Sequence, residues 1–167
     1  IGTGENRVGG ANPNAKIGCL ISEDAAKKVE EQVNSTVALG AKVVYGGRRK
    51  GAFYEPTILT DVTRDMPVAK DMEIFGPVVS IISYDTIEEA IEIANQSSFG
   101  LCGCIISKDQ KVCQKVANEL ECGGVIINGA SFFRSFEMPF GGWKHSGYGN
   151  EGVASTLHEM SRTKTVI

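Results

Sequence analysis

The 167-residue chain has little of what marks several protein classes. No apolar run approaches the ~20 residues of a membrane-spanning helix, so no membrane partner is expected. There is no basic excess: 17 Lys plus Arg stand against 20 Asp plus Glu, for a net charge of −3. The single basic cluster, Arg48-Arg49-Lys50, reads as a solvated turn, and no nucleic-acid footprint is expected. Histidine is scarce, and His145 and His158 do not complete a metal-ligand set with the cysteines. The opening Ile-Gly-Thr-Gly-Glu-Asn-Arg lacks the form of a secretory signal. There are no internal repeats and no low-complexity tracts. Cys19, Cys102, Cys104, Cys113 and Cys122 are odd in number and include no C-x-x-C. They are expected to be free thiols in a reducing, cytoplasmic setting, with Cys102 and Cys104 in the core on one face of an apolar strand.

What is present is an ordinary globular composition, 42% hydrophobic and 22% charged. The length suffices for one domain burying roughly 70% of its unfolded surface. Residues Ile1 to Ala15, rich in Gly and Asn, read as a loop. Ser22 can cap a helix whose stripe is Ala25, Val29, Val33 and Val37, and Gly40 ends it. Lys42 to Tyr45 reads as a short strand. Phe53 to Leu59 contains Pro56 and reads as an edge or irregular strand, followed by a polar connector from Asp61 to Ala69. From Pro77 the pattern is regular. Val78 to Tyr84 is a strand, and Thr86 with Glu89 forms a capping box for a helix with stripe Ile87, Ala90, Ile91, Ala94. Leu101 to Ile106 is a strand. Asp109 caps a helix with Val112, Val116, Ala117 and Leu120 inward, and Val125 to Ile127 is a third strand. This βαβαβ pattern with near-continuous apolar strands predicts an α/β fold, a mostly parallel sheet with helices on both faces. Ligands of such sheets gather beyond the carboxyl ends of the strands, where Asn128 and the loop from Gly129 to Met138 fall.

The stretch with most chemical content is Glu73-Ile74-Phe75-Gly76-Pro77. A carboxylate offers acceptors that fit a sugar diol, and an aromatic two residues on can lie against a flat heterocycle. A solvated turn acid and a core Phe would give the same five letters. Gly147-Tyr-Gly149-Asn-Glu-Gly152 fits G-x-G-x-x-G, but a glycine-rich loop precedes it and no acidic residue follows at the required distance, so a turn is the better reading.

The order E-I-F-G-P, then Gly124-Val-Ile-Ile-Asn128, then Pro139-Phe-Gly-Gly-Trp-Lys-His-Ser-Gly-Tyr-Gly-Asn-Glu-Gly152 resembles the carboxyl-terminal part of the NAD(P)-dependent aldehyde dehydrogenase superfamily. Ile17-Gly-Cys-Leu-Ile-Ser22 and Phe53-Tyr-Glu-Pro-Thr-Ile58 extend the resemblance over nearly the whole chain, residues 1–167. The resemblance implies part of a catalytic domain that oxidises an aldehyde to a carboxylic acid through a cysteine thiohemiacetal, with NAD or NADP as hydride acceptor. It implies that Glu73 holds the nicotinamide ribose hydroxyls and Phe75 packs near the nicotinamide. The loop Ser131-Phe-Phe-Arg-Ser-Phe136, with Phe133 and Phe136, and Phe140 would line the aldehyde tunnel. A core or interface role for Phe132, Phe133 and Phe136 stays open, since no periodicity places them. Arg134 could grip an anionic tail on the aldehyde, or simply pair with Glu137 or water.

None of the five cysteines has the family's G-Q-x-C surroundings. Leu120-Glu-Cys-Gly-Gly124 imitates the general-base segment, but it follows a helix directly, so Glu121 reads as a helix-end residue. The nucleophile and base are therefore expected upstream, and the chain alone is expected to be inactive. Thr163 to Ile167 looks like the family's tail strand, which implies a homo-oligomer in the full-length protein. The rival readings are a non-catalytic truncated paralogue or oligomerisation module, part of a coenzyme A-acylating dehydrogenase, and a stand-alone dinucleotide-binding protein.

Overall fold

Helix α1, Glu23–Ala38, starts where Ser22 accepts a hydrogen bond from the Ala25 N–H at 3.0 Å, with Glu23 and Asp24 in its first turn. A computed structural model describes residues 17–167, so the expected loop at Ile1 to Ala15 lies outside the described residues. The buried face of α1 is Ala26, Val29, Val33 and Thr36, while Val37 is exposed. The expected stripe at Ala25 and Val37 is thus corrected. A strict four-residue repeat drifts around a helix of 3.6 residues per turn, and alternating steps of three and four stay on one face.

The chain divides into two compact units, one ending at Ser83 and the other beginning at Tyr84. In the first, β1 (Lys42–Tyr45), β4 (Thr57–Thr60) and β5 (Val78–Ser80) form a three-stranded sheet in the order β1-β4-β5, β1 antiparallel and β5 parallel to β4. β2 (Arg49–Lys50) and β3 (Phe53–Tyr54) make a small hairpin. Pro56 falls in the break between β3 and β4, as suits a residue with no N–H to donate. The edge assignment does not hold for Thr57–Thr60, which is the central strand. The core joins Val29 and Val33 to Ala41, Tyr54, Leu59, Val62 and Met66. Val62 and Met66 give the supposed polar connector an apolar anchor, and it ends in a single 3-10 turn at Pro67–Ala69. Each fully buried aliphatic side chain contributes roughly 1.5–3 kcal/mol.

The second unit begins with α2 (Ile87–Asn95), where Thr86 accepts from the Glu89 N–H and the Glu89 carboxylate accepts from the Asp85 N–H. β6 (Phe99–Gly100) and β7 (Cys102–Ile105) follow, then α3 (Gln110–Glu119), β8 (Gly124–Ile127), β9 (Trp143–Lys144) and α4 (Val153–Glu159). β7 and β8 pair in parallel across α3, and β6 pairs antiparallel with β9. Asp109 caps α3 through the Lys111 and Val112 N–H groups. Its buried residues are Cys113 and Val116. Gly103 faces Leu120 at the end of α3, and Cys102 and Cys104 occupy the opposite face of β7. Cys102 is half buried and Cys104 exposed, which corrects the expectation that both are core.

The expected mostly parallel sheet is not formed among the described residues. Val78–Ser80 pairs within the first unit and β7 with β8 in the second, and three of the five ladders are antiparallel. The fold is mixed α/β with small sheets. An apolar run announces burial but does not name the strand it pairs with, and the antiparallel pairs at Arg49 and Phe99 involve two-residue strands too short to carry a pattern.

Candidate functional site

Between the 3-10 turn and β5 the chain runs Glu73-Ile74-Phe75-Gly76-Pro77 in alternation. Ile74 packs on the first unit's core, while Glu73 is exposed and Phe75 is 74% exposed. Phe75 is therefore not a core residue. Gln32 Nε2 on α1 donates to the Glu73 carbonyl oxygen at 3.1 Å, and Thr57 N–H donates to the Pro77 carbonyl at 2.8 Å. The backbone is tied down and the two side chains are left free. No described residue bonds to the Glu73 carboxylate, so its acceptors are available to a diol.

The second group lies after β8. The Asn128 N–H donates to Ile105 O at 2.7 Å, and the Asn128 Oδ1 accepts from the Ser107 N–H at 2.9 Å, which ties the loop's start to β7. Arg134 Nη1 donates to the carbonyl oxygens of Ser131, at 3.0 Å, and Phe133, at 2.8 Å. Its guanidinium carbon stands 4.1 Å from the centroid of the Phe140 ring, a cation–π geometry. Phe140 is half buried and held by an antiparallel bridge to Glu151, with N–H to O distances of 3.0 and 2.7 Å. Phe132 and Phe133 are exposed and Phe136 is 99% exposed. Arg134 and Phe140 are thus brought together, Phe133 supplies only its carbonyl to them, and Phe136 projects away from any packing within its unit. Glu73 and Phe75 belong to the first unit, the Arg134 loop to the second. No ion pair joins Arg134 to Glu137 among the described residues.

Sequence reasoning missed the role of Lys144. Its ammonium donates to the carbonyls of Asn95 (2.7 Å) and Ser97 (3.0 Å) and pairs with Glu121 at 2.7 Å. This ties P-F-G-G-x-K to the ends of α2 and α3, and it commits Glu121 to the fold. Lys144 and Glu121 line an open depression of ≈ 680 Å³ together with Trp143, His145 and Tyr148. Beyond this stretch the Asn150 N–H donates to the Glu159 carboxylate on α4 at 3.3 Å. The one visible hint was a lysine between glycines, and the two-residue pairing of β6 with β9 is too short to show periodicity. Among the thiols, Cys113 is fully buried, and burial pushes the Cys122 thiol above its ordinary range. Neither suits a nucleophile. No group of three or more potential metal ligands occurs among the described residues, and no helix among them is long and apolar enough to cross a membrane.

Each unit is mixed α/β; the first carries a carboxylate without a described partner beside an exposed aromatic, and the second a guanidinium stacked on a phenylalanine. Residues 3–166 match the aldehyde dehydrogenase family, and the chain belongs to that family. The 3-sulfolactaldehyde dehydrogenase of Priestia megaterium is 44% identical over 151 residues, covering 90% of this chain and 31% of that protein. The mitochondrial succinate-semialdehyde dehydrogenase of Mus musculus is 45% identical over 164 residues, with 96% and 31% covered. Among solved structures, the glyceraldehyde-3-phosphate dehydrogenase GapN of Methanocaldococcus jannaschii, complexed with NADP, superposes with a TM-score of 0.86 at 43% identity, covering 93% of this chain and 33% of that one. The chain thus spans about a third of the length of the relatives it matches.

Proposed function

We propose that the chain is the wall of an aldehyde dehydrogenase active site that holds the nicotinamide end of NAD or NADP and lines the aldehyde's approach. The observation that carries this reading is the alternation at Glu73 to Phe75. Ile74 and the backbone are anchored, while a carboxylate without a protein partner and an exposed phenyl ring stand two residues apart. Glu73 accepts hydrogen bonds from the ribose hydroxyls, and Phe75 limits the motion of the nicotinamide ring. The bound cofactor supplies a hydride acceptor.

Phe133, Phe136 and Phe140 line the path of the aldehyde. An aromatic lining keeps water from the reacting centre until hydrolysis is due. The nucleophilic cysteine and the general base belong to the part of the subunit outside this chain. In the whole subunit the small sheets join a larger, mostly parallel one with helices on both faces. The exposed Cys104 and Ile106 on one side of β7 are the positions such a layer would cover. Thr163 to Ile167, which carries the exposed Val166 and Ile167, pairs with a neighbouring subunit in a homo-oligomer.

The test is NAD(P)H formation with a panel of aldehydes, first by the 167-residue chain and then by a complete subunit that contains it. The chain alone gives no turnover. The complete subunit turns over, and Glu73→Gln raises KM for the cofactor more than KM for the aldehyde. Turnover by the chain alone, abolished by replacing one of its five cysteines, would overturn this placement of the chemistry.

A further inference from the structure

We infer that Lys144 is a positioning residue for the aldehyde's path. Its ammonium locks the turn from Pro139 to Ser146 onto the ends of α2 and α3, and so fixes where Phe140 stands. The inference rests on the reading of Phe140 as part of the aldehyde's approach.

The backbone at Lys144 is strained. Its φ is 54°, in the left-handed region. The other described non-glycine residues with positive φ are Asp61 and Asn128, types that tolerate it best. Lysine has no such local tolerance, so the surrounding contacts must hold it there. They do so through the side chain. The ammonium has three N–H donors and meets three acceptors: the Asn95 carbonyl at 2.7 Å, the Ser97 carbonyl at 3.0 Å and the Glu121 carboxylate at 2.7 Å. Asn95 is the last residue of α2 and Glu121 stands just beyond α3, so the cation sits where a helix ends in free carbonyls. Asn95 latches the same two helix ends, its Nδ2 donating to Glu119 O at 2.8 Å and its Oδ1 accepting from the Glu121 N–H at 2.9 Å. Apart from the ammonium, the turn is held to this junction by the two-residue ladder of β6 with β9 and two hydrogen bonds. The His145 N–H donates to Ser98 O and the Gly100 N–H to Ser146 Oγ, each at 3.0 Å. Toward Phe140 the turn is seated without slack. The Gly141 carbonyl leaves no room for a β-carbon at Gly123, at the entry to β8. Phe140 precedes Gly141, and both its backbone groups bond to Glu151. A shift at Lys144 therefore passes along a short, close-packed segment to the Phe140 ring. Misplacing a group beside a reacting centre by about 1 Å can cost on the order of 100-fold.

The test uses butanal and succinate semialdehyde in the complete subunit that contains this segment, with rates expressed per folded subunit. Lys144→Met keeps the aliphatic stem and the backbone strain and removes only the ammonium. Its KM for both aldehydes rises roughly tenfold, while KM for the cofactor stays within about threefold. Lys144→Arg restores charge and donors at the same backbone angle and lowers the aldehyde KM again. A merely structural residue would reduce the amount of folded enzyme and leave both KM values alone, and that result would overturn the inference. An arginine variant as impaired as the methionine one would overturn it too. Should Lys144→Met fail to fold, Glu121→Gln takes its place. That variant weakens one of the three contacts, and the same split appears at about two- to threefold; an unchanged aldehyde KM would count against the inference. If the wild-type subunit oxidises neither aldehyde, the reading of the site as a dehydrogenase fails, and the tether is judged separately. Amide exchange of Phe140 and Glu151 is then followed in the 167-residue chain. Faster exchange at these two in the variant, with α1 unchanged, supports the tether; unchanged exchange overturns it.

Discussion

The backbone of Gly76 runs against the side chain of Val29. A β-carbon at Gly76 would lie 2.7 Å from Val29 Cγ2 and 2.9 Å from Cγ1. Val29 is 1% exposed, at the heart of the first unit's core. Three residues on, on the same side of α1, Gln32 holds the Glu73 carbonyl. The helix therefore holds the Glu73–Pro77 segment at two points, and the close approach at Val29 depends on the absence of a side chain at position 76. Gly76→Ala is expected to cost about 1–3 kcal/mol through overpacking. The check is the urea midpoint, with an unchanged slope. Val29→Ala in the same chain should return part of that loss, so the double-mutant cycle shows a favourable coupling. An additive cycle would mean that Val29 already yields without cost.

Tyr54 carries the one described buried side-chain oxygen that lacks a hydrogen-bond partner. Its neighbour Thr57 spends its hydroxyl proton on Glu55 O at 2.8 Å and accepts from the Gly47 N–H at 2.9 Å. Burial pushes the Tyr54 phenol above its ordinary range. A buried polar group without a partner contributes nothing that its desolvation does not offset. Tyr54→Phe is expected to leave stability unchanged or raise it by up to ~1 kcal/mol. Tyr54→Ala should cost about 3–5 kcal/mol, as for other large aromatics in a core. Thermal or urea unfolding of both variants decides the matter, and a clear loss in Tyr54→Phe would show that the hydroxyl has a partner, Thr57 or a bound water.

The local signals in the sequence were legible where side chain and backbone speak to each other nearby. Ser22, Thr86 and Asp109 are caps, and α1, α2 and α3 begin where they predict. The strand at Lys42–Tyr45 has the expected bounds, and the helix stop at Gly40 follows the end of α1. Long-range pairing was not legible. Nothing in Val78–Ser80 names Thr57–Thr60 as its partner, and nothing in Phe99–Gly100 points 43 residues ahead to Trp143–Lys144. The site divided in the same way. The segment Glu73 to Pro77 was singled out from its residue types, but whether Phe75 was core or exposed stayed open until the partly buried Ile74 placed its neighbours on the other side. The stacking of Arg134 on Phe140 joins two residues of an aperiodic loop, and only coordinates bring them together.

Two ion pairs are expected to contribute to the acid side of the stability profile. Arg48 forks onto Glu55, with Nη2 to Oε1 at 2.7 Å and Nε to Oε2 at 2.9 Å. Lys115 pairs with Glu88 between α3 and α2. The hydrogen bonds from Arg48 and from Lys115 hold both carboxyls below the ordinary value of 4.5. A carboxyl with a depressed folded-state pKa binds fewer protons than in the unfolded chain. Its contribution is present above the unfolded value and is lost as pH falls through the folded one. The urea midpoint should therefore decline below about pH 4.5, and less steeply in Arg48→Gln than in the parent chain. Both pairs face solvent, so the decline should also shrink in high salt. A profile identical in Arg48→Gln would show that the fork adds no stability.

The cysteines offer a check on the second unit that needs no ligand. Cys104 is exposed on the open face of β7, Cys122 is half buried, and Cys113 is fully buried on the inner face of α3. Attack on a thiol reagent requires the thiolate, so both access and pKa govern the rate. With native protein and limiting iodoacetamide, Cys104 should label first. Cys122 should lag, and the rise of its rate with pH should be displaced above 9.0, because burial disfavours its charged form. Its thiol lies 3.2 Å from the Gly124 carbonyl oxygen. Cys113 should label only on unfolding, so that its rate reports opening of the β7–α3–β8 layer. Peptide mapping by mass spectrometry gives the three rates in one experiment. Labelling of Cys113 as fast as Cys104 in the native chain would mean that α3 does not stay docked on β7 and β8.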